Sequence, residues 1–106
     1  MKNLIAAMTL LISVSALADT RCNKAAVTKA LADYASEVTS PYCAVTAKDA
    51  VVFFTDEENN LLRDQNGRTY LGVSIIPGNN ILCGSGLDFY YYYSIGTDGK
   101  CQVSGN

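Results

Sequence analysis

Histidine is missing from the 106-residue chain. Its absence removes the commonest general base of enzymes and one of the two usual structural zinc ligands. Neither G-x-S-x-G nor S-x-x-K occurs, so the serine-nucleophile machineries with those signatures are not written here. Charge is sparse as well: 17% of residues are charged, the formal net charge is −2, and no basic run stands out. That balance argues against nucleic acid and against anionic membrane surfaces as partners. The nearest two cysteines stand eighteen positions apart, which lacks the close pairing of zinc and dithiol motifs. There is no internal repeat and no low-complexity linker, and nothing in the chain asks for a cofactor.

What is present begins with a targeting pattern. Lys2 supplies a positive charge, Leu4–Leu17 is an apolar run, and Ala16-Leu17-Ala18 is an A-x-A cleavage site. The run is short for a membrane span and no basic stop-transfer follows it. Residues 1–18 therefore read as a cleaved signal peptide of bacterial style. No cysteine follows the cleavage site, which argues against a lipoprotein. The expected location is periplasmic or secreted, with no stable membrane anchor after cleavage. Residues 19–106 then form one small domain, which buries only about 60–65% of its unfolded surface. Its four cysteines, Cys22, Cys43, Cys83 and Cys101, are an even set in an exported small domain and predict two disulfides.

Residues 22–39 carry the helical pattern. Val27, Leu31, Tyr34 and Val38 recur at helical spacing, with Ala26, Ala30 and Ala35 widening the stripe, and Ser40-Pro41 ends it. Tyr42–Thr55 reads as one long or two short strands, and the unbroken apolar run Val51–Phe54 suggests a central strand covered on both faces. Leu61-Leu62-Arg63 is either a short strand or loop. Asn66-Gly67 predicts a type I′ hairpin turn before a strand over Arg68–Ile76, with Leu71, Val73 and Ile75 on one face and Tyr70, Gly72 and Ser74 on the other. Pro77–Asn80 is a turn, and Ile81–Cys83 reopens a strand. Gly84-Ser85-Gly86 interrupts it as a bulge, and Leu87–Ile95 continues it. Thr97–Lys100 turns the chain into a last short strand at Cys101–Val103. The prediction is α+β: one N-terminal helix packed on an antiparallel meander of about four to five strands. The plan resembles small inhibitor and binding folds such as the cystatins in architecture, and no cystatin motif accompanies it.

Cysteine pairing follows from direction along the sheet. The helix separates Cys22 from Cys43 by roughly 25–30 Å, too far for a bond that needs Cα atoms within about 7 Å. If Leu61–Arg63 is a strand, counting reversals pairs Cys22 with Cys83 and Cys43 with Cys101. If it is loop, the pairs become Cys43–Cys83 and Cys22–Cys101. The second set is preferred, because Leu61-Leu62 is short and flanked by charge.

Two clusters compete for function. Asp56, Glu57, Glu58 and Asp64 are acidic, and Asp64-x-Asn66-Gly67 echoes part of a calcium loop. Ile75 stands where the closing glutamate belongs, so a solvated hairpin tip is the better reading. The tyrosines are the stronger signal. Alternation along Leu87–Ile95 sends Leu87, Phe89, Tyr91, Tyr93 and Ile95 inward and Asp88, Tyr90, Tyr92 and Ser94 outward. Tyr70 of the neighbouring strand joins the outer pair. Exposed tyrosines suit binding, since each offers a rigid apolar ring and a hydroxyl. The expected function is a non-enzymatic, inhibitor-like binding module acting on a protein or glycan of the cell envelope or beyond. A structural subunit of an envelope complex, joined through a sheet edge, is the first alternative. A small carboxylate-based hydrolase is the second.

Overall fold

The computed structural model describes residues 2–104, with side chains described from Thr20 onward. The signal peptide expected at residues 1–18 has its side chains outside this range. A long helix, α1 (Lys2–Glu37), precedes four strands: β1 (Ala50–Phe53), β2 (Tyr70–Ile75), β3 (Leu87–Ile95) and β4 (Cys101–Ser104). The strands pair antiparallel in sequence order, β1-β2-β3-β4, and α1 packs across all four. The fold is thus α+β, a helix on a four-stranded meander held by two disulfides. Among the described residues, no helix is long and apolar enough to cross a membrane.

The inward faces of β2 and β3 are those the alternation predicts. Leu71, Val73 and Ile75 are fully buried and Tyr91 nearly so, with Leu87, Phe89, Tyr93 and Ile95 packed around them. On the helix the contact line keeps most of the expected stripe and shifts its centre. Cys22, Ala26, Ala30 and Tyr34 are the buried positions, Leu31 and Val38 flank them, and Ala35 is exposed. Cys22, bonded to Cys101, lies on the same line as Ala26 and Ala30, whose methyl-sized side chains face the sheet. α1 also extends further toward the N-terminus than 22–39 and stops two residues earlier, ahead of Ser40-Pro41.

The disulfides are Cys22–Cys101 and Cys43–Cys83, with Cα atoms 5.1 and 5.6 Å apart. Leu61–Arg63 is not a strand but a pair of isolated bridges, Thr55 to Leu61 and Arg63 to Thr69, in keeping with the preferred pairing. Two disulfides in so small a domain mark a protein of an oxidising compartment.

Several local readings need correction. Tyr42–Thr55 is not one or two strands: 3₁₀ turns at Pro41–Cys43 and Ala47–Asp49 precede the short β1. β1 is an edge strand rather than a central one, and Val51 is exposed. The run Val51–Phe54 is apolar on both faces because a second apolar layer lies outside the sheet, as described below. Ile81–Cys83 is part of a one-turn helix, α2 (Asn80–Cys83). The Asn79 side chain accepts from the Leu82 N–H at 3.2 Å, and Gly84 ends the turn at φ 77°. Gly84–Gly86 is therefore a helix stop and a lead into β3, not a bulge. At Gly86, φ is 110° and an added Cβ would meet the Ile75 carbonyl oxygen.

Three tight turns share one construction. In Asp64–Arg68, the Gly67 N–H donates to the Asp64 carbonyl and the Asp64 N–H to the Arg68 carbonyl. Asp56–Asn60 and Gly96–Lys100 repeat that pair of bonds. The fourth residue of each takes positive φ: Asn59 at 66°, Gly67 at 81°, Gly99 at 81°. Asn66 keeps a negative φ, so the hairpin is not type I′. Asp64 overrides the Asn-Gly preference, because its Oδ1 accepts from the N–H groups of both Asn66 and Arg68, each at 2.9 Å.

Candidate binding face

The outer face of the sheet is built by register. β2 and β3 pair Tyr70 with Tyr92 and Gly72 with Tyr90, while β1 sets Phe53 opposite Gly72. Gly72 is the seat of the arrangement. A Cβ there would lie 2.2 Å from the Phe53 ring, so only glycine lets that ring fold down over β2 toward Tyr90. The rings then run in a chain. Phe53 and Tyr90 have centroids 6.0 Å apart, Tyr90 and Tyr70 5.9 Å, and Tyr70 and Tyr92 6.3 Å, all edge-to-face.

These rings floor an open trough of about 780 Å³. Its rim carries Asp56, Glu57, Asp64 and Asp88, with Thr55 and Leu62 between them. The volume lies within the range of ordinary ligand sites. Thus Tyr70, Tyr90 and Tyr92, the three residues singled out above, stand together on the outer face. Tyr90 is the most open of them, at 42% exposure.

Three of the rim carboxylates are oriented by hydrogen bonds. Asp88 Oδ1 accepts from the Ser74 hydroxyl at 2.6 Å. Asp56 Oδ1 closes its turn by accepting from the N–H groups of Glu58 and Asn60. Asp64 Oδ2 accepts from the Tyr92 hydroxyl at 2.6 Å. That bond first, and the backbone bonds next, hold the Asp64 carboxyl below the usual carboxylate range, and the same contact pushes the Tyr92 phenol up. The Arg68 guanidinium lies 3.9 Å above the Tyr92 ring centroid. Among the described residues, none of the four rim carboxylates belongs to a salt bridge, and no three His, Cys, Asp or Glu side chains gather as metal ligands.

No protein family, curated protein or solved structure matches this chain. The site therefore rests on its own geometry.

Sequence reasoning set Asp88 on this face by alternation along β3 and missed Phe53 and Leu62. Phe53 was hidden because Val51–Phe54 reads as a doubly covered strand. The usable signal was the alternation of Val52 and Phe54 against Val51 and Phe53, together with a glycine in the facing strand. On the opposite side, Tyr91 donates to Asp33 Oδ2 at 2.6 Å, and Lys29 lies 5.5 Å over the Tyr91 ring. Burial, then the Asp33 bond, raises the Tyr91 phenol far above its ordinary range.

Proposed function

We propose that the protein is an exported binding module of the periplasm or the medium, made with a bacterial signal peptide at residues 1–18, that captures its partner in the aromatic trough. The observation that carries this reading is the convergence of Phe53, Tyr70, Tyr90 and Tyr92 in one open concavity of about 780 Å³. A row of tyrosines kept at the surface of a small domain is costly unless something covers it, and such rings dominate interface energetics.

Catalysis has less support. Both cysteine pairs are disulfides, so no thiol nucleophile is free among the described residues. Asp56 and Asp64 are engaged in closing turns. Asp64 is shifted in the direction opposite to that of a general acid. The test is affinity capture from envelope extract with the oxidised protein and its Tyr90→Ala variant. Capture that depends on Tyr90 supports the module. Capture indifferent to Tyr90 and Tyr92, with a folded variant, refutes the trough as the site. Concentration-dependent self-association through β1 or β4 would instead favour an assembly subunit.

A further inference from the structure

We infer that the trough recognises arginine side chains of a partner protein. This rests on the binding-face reading above and names its ligand chemistry.

Three observations support it. The first is charge. The rim brings four carboxylates to one concavity, none of them matched by a salt bridge among the described residues. Arg68 already acts on Asp64, and a cationic ligand would add counter-charge for Asp56, Glu57 and Asp88. The second is ring geometry. Neighbouring rings stand at 77–86° to one another. Successive rings meet edge to face, so the floor is not the single flat shelf that stacks a sugar, and Tyr90, the most exposed of them, leaves ring area open to a cation. The third is an internal example. Arg68 already lies over Tyr92, whose hydroxyl is tied to Asp64. Ring face, guanidinium and carboxylate therefore meet once within the chain itself. Tyr90, with Asp88 and Glu57 on the same rim, offers a partner the same combination without an arginine of its own. A planar guanidinium stacks on a ring and pairs with a carboxylate at once, which an ammonium does less well.

The test is titration of the oxidised full chain with hexa-arginine, hexalysine, hexaglutamate and a neutral N-acetylglucosamine oligomer, followed by amide NMR. Hexa-arginine should shift Tyr90, Tyr92 and Asp88, bind more tightly than hexalysine, and weaken as salt rises. Tyr90→Ala should weaken it by about 2- to 5-fold, the range of a solvated cation–π contact. Glu57→Gln should weaken it by about 2- to 5-fold. Glu37→Gln, which removes the same charge from the helix end, should leave it unchanged. Arg68→Gln should tighten binding, because it vacates the Tyr92 ring and removes a like charge.

Equal losses for Glu57→Gln and Glu37→Gln, or weaker binding in Arg68→Gln, would overturn the inference. So would trough shifts with the neutral oligosaccharide and none with hexa-arginine. Dimerisation that Tyr90→Ala abolishes would overturn it too, by showing a second copy as the occupant. In these cases the trough remains a binding face. Only the absence of trough shifts with every probe, together with Tyr90-independent capture, removes both readings.

Discussion

Opening either disulfide should bring the domain close to unfolding. Cys22–Cys101 and Cys43–Cys83 close loops with sequence separations of 79 and 40. On a chain-entropy argument these restrict the unfolded chain by about 4.5 and about 3.9 kcal/mol, each taken alone. The smaller loop lies inside the larger, so with Cys43–Cys83 closed the remaining path of the outer ring is about half as long. Its added contribution then falls to about 4 kcal/mol. In the presence of the other, the outer bond is thus worth about 4 kcal/mol and the inner about 3 kcal/mol, against roughly 5–13 kcal/mol for the whole stability of a domain this size. At about 4–8 °C per kcal/mol, Cys22→Ala/Cys101→Ala and Cys43→Ala/Cys83→Ala should each lower Tm by roughly 12–30 °C. Full reduction should leave the chain unfolded at room temperature. Circular dichroism melts of both double variants, with and without reductant, measure this. A fall of less than about 5 °C in either variant, or a melt indifferent to reductant, would refute the entropic account.

Tyr91→Ala, which empties a buried site, should cost about 3–5 kcal/mol in chemical denaturation, whereas Tyr90→Ala on the open face should stay within about 1 kcal/mol; the reverse order would invert the two faces of β3. Gly86→Ala should destabilise by more than about 2 kcal/mol, since it combines positive φ with a backbone collision. Gly84→Ala, with positive φ but open space around it, should cost less, and equal Tm shifts would remove the steric argument. Tyr91 holds its proton more tightly folded than unfolded, so its contribution is complete below the ordinary tyrosine pKa of about 10 and is lost as pH climbs above it. Tyr91→Phe should therefore flatten the alkaline end of the stability curve. Asp64 is lowered on folding, so its contribution is present above the usual value of about 4 and disappears as pH falls through its folded value; a carboxyl NMR titration of Asp64 at or above that usual value would contradict the Tyr92 bond.

The parts of the fold readable in advance were those where one periodicity acts alone. Phe89–Tyr93 has no competing pattern, and its alternation placed every ring on the correct face. Disulfide pairing followed from counting strand reversals once Leu61–Arg63 was taken as loop. The failures occur where a distant constraint overrides a local one. The helix stripe held at Ala26, Ala30 and Tyr34 but was read too wide: Ala35 is exposed, and the buried line starts at Cys22, which is bonded to Cys101. Ile81 and Leu82 look like strand residues, yet α2 leaves them 91% and 65% exposed, because Asn79 caps the turn and Cys83 is tethered to Cys43. The acidic rim was partly visible as the cluster at Asp56–Glu58. Its meeting with Asp88 and the rings depends on β1–β2–β3 register, which no local pattern encodes.

The nesting of the two disulfides also bears on survival among proteases. Every peptide bond between Cys22 and Cys101 lies inside the outer ring, and those between Cys43 and Cys83 lie inside both. A single cut anywhere in that span, including the exposed tip at Glu57–Asn59, leaves two pieces still covalently joined. Their re-docking is then intramolecular, governed by an effective concentration in the millimolar range rather than by the bulk concentration of the protein. A nicked molecule would run as an intact one until reduced, and would keep its sheet paired across the break.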